Sequence, residues 1–382
     1  MKPTSKSKQK LYTAIDLHSG TCVLGTMNEA GESSEPVRFD TSAENLRAHV
    51  AQVVKDAKRR QVILTIESAP LARWCRDIVK PLVEQVIVCD PRANHLISRA
   101  SNKNDEEDVR ALCKLLRMGE LHEVWQGDCL KRQMFRESVL DLLKLRNQQR
   151  ELKALIKTRY RGFGIVKING KEIFHPDKRS RWLGLIPEER STGLDKLYFI
   201  LDSTLSMWKD QLDEVNRQGL QFPEVALLQQ TPGIGEIGSA VFCAFIEDPH
   251  RFKSVSALYR YCCLGITNRT SDNKPLGYER LDRWCGNREL KNLSYHGWRT
   301  GIRKGNQSQV VREFYEASKI RTGSVRHARL NTQRKLLGTM LSMWKHNRDF
   351  DPNAFLQTPE PGPSRNGRRR RRRRRYIRNQ TA

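Results

Sequence analysis

Within four positions, Asp105, Glu106, Glu107 and Asp108, the chain gathers four carboxylates. Everywhere else it is basic: 69 Lys and Arg stand against 43 Asp and Glu, a formal net charge of +26. Asp105 and Asp108 are three apart at the expected start of a helix, so they share a face. Asp16 closes the alternating stretch "LYTAIDL", and Glu67 closes the continuous apolar stretch "QVILTIE". If those two stretches are neighbouring strands, all three positions converge at one sheet edge. Carboxylates so grouped repel one another unless a cation sits among them, and oxygen donors of this kind suit Mg²⁺ or Mn²⁺. Two such ions, about 3.5–4 Å apart, would clamp a phosphodiester and activate its nucleophile. The plainer reading is cap chemistry, since acids in a first turn complement the helix dipole. Glu106 and Glu107 are expected to face solvent.

The excess of base points to a polyanionic partner, DNA or RNA. Part of it is an arginine run, Arg368 to Arg375, expected to be a non-specific anion-binding appendage. Without those eight charges the chain still carries +18. Nine cysteines are scattered with no CxxC pair, which argues against a zinc ribbon or dithiol redox site and for a reducing, cytoplasmic setting. No apolar run reaches the roughly 18 residues of a membrane span, and the basic start "MKPTSKSKQK" leads into no apolar signal core.

The elements that must position the acids can be read in order. Three strands end near Asp16, Asn28 and Asp40. A helix capped by Ser42 follows, then the strand to Glu67, a helix that Pro81 should break, the strand "VIVCDP", and a helix from Asp105. The order β-β-β-α-β-α-β-α predicts a mixed α/β domain. Two long helical segments come next. The second spaces Leu194, Tyr198, Leu201, Leu205, Trp208, Leu212 and Val215 as a heptad seam, for a hairpin packed on itself or for a dimer contact. Residues 160–192 between them, rich in Gly, Lys and Arg, read as an insertion. From Pro223 the chain is mostly helical. It holds "PGIG" at Pro232–Gly235, a turn resembling a helix-hairpin-helix, with Gly233 and Gly235 offering backbone N–H groups to a phosphate. An ordinary glycine-capped turn is the alternative; no P-loop lysine follows. The predicted divisions are 1–10 a flexible lead, 11–130 the α/β domain, 131–222 the helical hairpin with its basic insertion, 223–350 a C-terminal helical domain, and 351–382 a disordered Arg-rich tail.

The motif order resembles the DEDD transposase family of insertion sequences, recombinases guided by a bridge RNA. "AIDLHSG", "TIESAP" and "NDEEDVRAL" match its D, E and D-x-x-D positions. "TPGIGEIGSAVFCAFIEDPHRFKSVSALYRYCCLGI", "CGNRELKNLSYHG" and "RKLLGTMLSMWKHNRDFDP" are versions of its C-terminal blocks. The resemblance implies an RNase H-like (RuvC-like) N-terminal domain, a central helical hairpin or coiled coil and a mostly α C-terminal transposase domain with a helix-hairpin-helix-like motif.

It further implies a composite site in which Asp16, Glu67, Asp105 and Asp108 bind Mg²⁺ (Mn²⁺ as substitute) and a C-terminal serine attacks the DNA phosphate. Here the chain departs from the family pattern. Counted from Leu264 and from Gly286–Asn287, the family's serine pair falls on Asp272 and Asn273, with Ser271 just before. Ser271 is the expected nucleophile and Thr270 the second choice; by composition alone "RTSDNKPLG" is a polar surface turn. Arg269 and Lys274 beside it, Arg280 and Arg283 further on, and Arg334 and Lys335 are candidate phosphate contacts. The expected partners are donor and target DNA, a bridge-type RNA and further copies of the chain, as a dimer or tetramer, in the bacterial cytoplasm at the nucleoid. The competing functions are a carboxylate–metal nuclease that resolves branched DNA without a covalent intermediate, and a non-catalytic basic RNA-binding scaffold.

Overall fold

The computed structural model describes residues 9–92, 104–267, 270–271, 274–275, 280–281, 286–303 and 309–357. The chain divides into two compact units, Met1–Asp128 and Cys129–Ala382.

The first unit is built on a five-stranded sheet. Its strands are β1 (Lys10–Leu17), β2 (Thr21–Asn28), β3 (Val37–Asp40), β4 (Gln61–Glu67) and β5 (Gln85–Cys89), in the order β3-β2-β1-β4-β5. β1 runs antiparallel to β2, and β2 to β3; β4 runs parallel to β1, and β5 to β4. Helices α1 (Ala43–Asp56) and α2 (Ala72–Val79) cover one face, where Ile15, Leu24, Leu46, Val50, Leu64, Ile66 and Val79 are buried together. The Ser42 side chain accepts from Asn45 N and caps α1. α2 stops at Val79, two residues before Pro81, whose ring would clash with the preceding turn.

Helix α3 (Asp105–Met118) covers the opposite face, with Val109, Leu112 and Cys113 against Ala14, Val23 and Met27. It lies close because β2 offers a glycine. A Cβ on Gly25 would stand 2.6 Å from Val109 Cγ1, and Cys113 Sγ donates to Gly25 O at 3.4 Å. Past α3 the chain returns along the free edge of β5 through Asp90 N→His122 O and Val124 N→Val88 O.

The second unit begins with a long antiparallel hairpin, α4 (Leu130–Gly162) and α5 (Glu188–Gly219). Tyr198 OH donates to Tyr160 OH, Gln149 Nε2 to Thr204 O and Gln211 Nε2 to Ser138 O, a sequence of contacts that only opposed helices can make. The heptad seam of α5 faces α4: Leu194, Tyr198, Leu201 and Val215 are buried, and Leu205, Trp208 and Leu212 pack beside them. The spacing therefore serves an intrachain hairpin. The segment between the helices folds onto its tip, where Ile173 and Ile186 join Ile156, Tyr160 and Leu201 in one cluster. The hairpin base merges with α6 (Pro223–Gln229), α7 (Glu236–Ile246), α8 (Val255–Tyr261), α9 (Arg288–Gly301), α10 (Gln309–Thr322) and α11 (Val325–His346). α7 is apolar nearly all round, every residue from Ser239 to Ile246 being buried, so it is the central helix of this unit.

The contact between β2 and α3 has a testable consequence. Gly25→Val should destabilise the chain by about 1–3 kcal/mol through overpacking. Gly25→Ala combined with Val109→Ala should lose less than the two single changes together, because each relieves the same clash. Thermal unfolding of the four proteins measures the coupling; strict additivity would show that α3 does not rest on Gly25.

Candidate functional site

Strand register assembles the first site. Val23 pairs with Asp16 on one side and with Arg38 on the other. Ile15 pairs with Ile66, so Asp16 and Glu67 come next in line, and Glu67 in turn pairs with Cys89. Arg38, Val23, Asp16, Glu67 and Cys89 thus form one row across all five strands, on the face that α3 covers. The first turn of α3 stands over the end of this row. Its backbone is started by Asn104, whose side chain accepts from Glu106 N.

The structure brings Asp16, His18 and Asp105 together: one ligand atom from each lies within 4.8 Å of the others. His18 Nε2 is 3.1 Å from Asp16 Oδ2, and Arg38 Nη2 donates to Asp105 Oδ2 at 2.7 Å. Asp16 is held above the ordinary carboxylate range, first by burial and further by the negative charges of Asp105 and Asp108, with His18 opposing. Asp105 is held below it, chiefly by the hydrogen bond from Arg38. Asp108, one turn along, is half-buried and acts on Asp16 through its field. Glu67 is half-buried at the end of β4, in the same row. Glu107 is exposed and pairs with Arg110 at 3.1 Å, while Glu106 is half-buried.

Two of these residues were not singled out from the sequence, His18 and Arg38. His18 sits two positions beyond Asp16, so strand alternation alone could have placed it on the same side. Arg38 becomes visible only once β3 is registered on β2. The donor set fits a hard divalent cation with one imidazole: oxygen donors predominate, Asp16 is half-buried, and its acidic neighbours are only partly neutralised.

The second site lies around the glycine turn between α6 and α7. Gly233 has φ +82°, and a Cβ there would collide with the carbonyl of Gly297 on α9, so glycine is required. Gly235 is different: it precedes α7 in extended backbone, and nothing lies within 4 Å of where its Cβ would be. No side chain caps α7, so its first N–H groups keep their donor capacity.

The segment expected to carry the serine leaves the helical body after Leu264 and returns at Gly286. Its root is held tightly. Asn287 N donates to Tyr261 O, and Gly286, at φ +107°, lies against that same carbonyl. Ile266–Thr267 pairs with Arg280–Leu281, and Thr270–Ser271 with Lys274–Pro275, so the backbone of Ser271 stands opposite that of Lys274. The segment is therefore built from two short antiparallel ladders where a plain polar turn was the compositional reading. Arg269, Asp272, Asn273 and Arg283 lie outside the described residues. Arg334 and Lys335, candidate phosphate contacts from the sequence, are engaged within the chain. Arg334 donates through Nε and Nη2 to Leu264 O, and Lys335 Nζ donates to Ala354 O and Gln357 O. Both tie the chain to itself.

Residues 225–316 match the model of the transposase IS116/IS110/IS902 family, a span that takes in the glycine turn, the rooted segment and α9. Within the second unit, this span is similar to the transposase domain of that family. No curated protein matches the chain. No helix among the described residues is long and apolar enough to cross a membrane.

The charge balance at the sheet edge can be checked by mutation. Asp16→Asn should raise the melting temperature at pH 7 in metal-free buffer, because the ionised carboxylate is disfavoured by burial and by Asp105 and Asp108. The sign follows from a folded-state pKa above the unfolded one: wild-type stability improves as pH falls toward that raised value, and the gap to the variant closes. A variant that melts lower than wild type at pH 7 would show that Asp16 is not strained in the empty site.

Proposed function

We propose that the protein is a transposase and site-specific recombinase of an insertion sequence. It cuts and rejoins DNA with a serine nucleophile on its second unit and a divalent cation held by its first. The observation that carries the reading is the transposase domain at residues 225–316. The five-strand row that carries Asp16 and Glu67 at its middle, beneath Asp105 and Asp108, supports it, as does a strand order and helix placement of the kind the RNase H-like resemblance implies.

Asp16, Glu67, Asp105 and Asp108 would hold Mg²⁺ or Mn²⁺, and His18 stands ready as a further ligand. When bound, the ion supplies positive charge to a phosphodiester and lowers the pKa of an oxygen it contacts. The protein's own part is distinct. Burial of Asp16 and the tight seat of α3 keep the carboxylates in place before substrate arrives. Arg38 holds Asp105 while it is not otherwise engaged. On the second unit, Ser271 Oγ would form a bond to phosphorus as the bond from phosphorus to the leaving deoxyribose oxygen breaks, the serine giving up its proton and the leaving oxygen taking one up to become a hydroxyl. The phosphoserine link keeps the energy of the phosphodiester, so a second strand's hydroxyl can reverse the step and rejoin DNA without a high-energy cofactor. Arg269 and Lys274 would contact phosphates near Ser271, and the turn at Gly233 and Gly235 would grip backbone without reading sequence. A bridge-type RNA would choose the DNA by pairing, and strand exchange between two duplexes calls for a dimer or tetramer.

The positions aligned with the family's serine pair are Asp272 and Asn273, which keeps one other reading in play: a carboxylate–metal nuclease needing no serine. A single experiment separates them. The full chain is combined with Mg²⁺, RNA transcribed from the DNA flanking its gene, and labelled donor and target DNA, then run on a denaturing gel. Wild type should give a covalent protein–DNA adduct, Ser271→Ala none, and Asp16→Asn at least about 100-fold less, the scale expected when a group stabilising the transition state is removed. Cleavage without adduct in both wild type and Ser271→Ala would overturn the serine mechanism in favour of the nuclease. An adduct that survives in Ser271→Ala would move the nucleophile to Thr270.

A further inference from the structure

Beneath the glycine turn the second unit contains a cavity of about 600 Å³. It lies between the hairpin and the transposase domain, and α4, α5, α7 and α9 all contribute to its lining. Leu212, Ile234, Ile237, Val241 and Leu293 make its walls apolar. Glycines shape it. A Cβ on Gly238 would meet Leu293 and Ile234 at 2.9 and 3.0 Å, and one on Gly297 would meet Ile234 at 2.8 Å, so these two positions let α7 and α9 close against each other. At Gly235 the space is left open. The volume is within the roughly 300–1,000 Å³ of small-ligand sites and has room for a nucleoside.

The rim has the opposite character. Arg146 reaches the lining and is paired with Glu289 at 2.8 Å. Arg150 and Arg299 do not line the cavity but stand near enough to its edge to act on His296; both are exposed, and among the described residues neither is ion-paired with a carboxylate. Both, with Arg146, act on His296 at the cavity edge. Burial and these three cations hold that imidazole below its ordinary pKa, against the opposing field of Glu289, so it is neutral at pH 7 and can donate or accept. Glu236, fixed by Asn216 Nδ2 at 3.3 Å, adds one acceptor that suits an exocyclic amino group. The uncapped N–H groups of α7 border the same opening.

A flat apolar body with a few hydrogen-bonding edges, joined to an anion, is the ligand that matches these walls and this rim. We propose that the cavity receives an unstacked nucleobase from a single-stranded segment of the nucleic acid, with the adjoining phosphates on Arg150 and Arg299. The net charge of +26 and the transposase domain make a nucleic acid the polyanion at hand. The proposal rests on the DNA-handling reading given above and extends it. The turn at Gly233–Gly235 would then hold a strand whose base has left the stack, rather than only an intact backbone. Strand exchange requires such unpaired segments.

The test uses the full chain at a salt concentration that suppresses non-specific phosphate binding. Its probes are a single-stranded hexanucleotide with 2-aminopurine at its centre and the same strand with an abasic site there. Wild type should brighten the 2-aminopurine and bind the abasic strand about 5- to 150-fold more weakly, the range of one lost base contact of roughly 1–3 kcal/mol. Ile237→Trp fills the cavity and should abolish both the brightening and the discrimination. Arg150→Gln with Arg299→Gln, both exposed and outside the packed interior, should weaken both strands while keeping their ratio. Equal binding of the two strands by wild type, or brightening that survives in Ile237→Trp, would overturn the cavity proposal. Adduct formation on donor and target DNA is scored separately. Loss of discrimination with adduct intact sinks the cavity alone, and discrimination without adduct sinks the recombinase reading alone.

Discussion

The seat of Val109 on Gly25 governs the first unit. A side chain at position 25 would push α3 off the sheet, and the acids of its first turn would no longer stand over the row that holds Asp16 and Glu67. Close packing turns the absence of one methyl group into the position of Asp105 and Asp108. What it creates is an electrostatic conflict. Asp16 is half-buried beside like charge, and the folded chain offsets this only in part, with an imidazole two residues away and a guanidinium from the edge strand. A site left unbalanced in this way is costly to keep unless a cation completes it.

The second unit uses the same device to another end. Gly233, Gly238 and Gly297 allow α7 and α9 to approach through backbone, and the hairpin of α4 and α5 closes the remaining side. The ion pairs Arg132–Glu224 and Arg136–Glu247 fasten α4 to the chain at α6 and at the end of α7, both with the carboxylate buried. Removing either arginine would leave a buried charge unpaired, which is far more costly than the pair is stabilising. The two ends of the segment bearing Ser271 are tied to this frame at Leu264, which accepts from Arg334, and at Asn287, which donates to Tyr261 O.

Local signals in the sequence were read correctly where one residue decides the outcome. Ser42 announces α1 by its hydrogen-bonding oxygen, Pro81 ends α2 by steric clash, and the 3.5-residue spacing in α5 marks the side that packs on α4. Asp16, Glu67 and Asp105 were legible as strand and helix ends for the same reason. What was not legible depends on partners distant in sequence. Arg38 joins the acidic row through two strand pairings, and the cavity exists only where α4, α5, α7 and α9 converge. The carbonyls that Arg334 and Lys335 serve were likewise invisible, because Leu264, Ala354 and Gln357 are distant in sequence from the helix that carries them.

The central claim is that the sheet-edge carboxylates form one divalent-cation site. Its most direct measurement is Mn²⁺ binding to the full chain by electron paramagnetic resonance, without nucleic acid, in wild type, Asp108→Asn and Glu106→Gln. Saturable binding that weakens at least about tenfold in Asp108→Asn, for the loss of one ligand worth roughly 1.4 kcal/mol or more, and stays unchanged in Glu106→Gln is the expected result. Equal affinity in all three proteins, or no saturable binding in wild type, would contradict it.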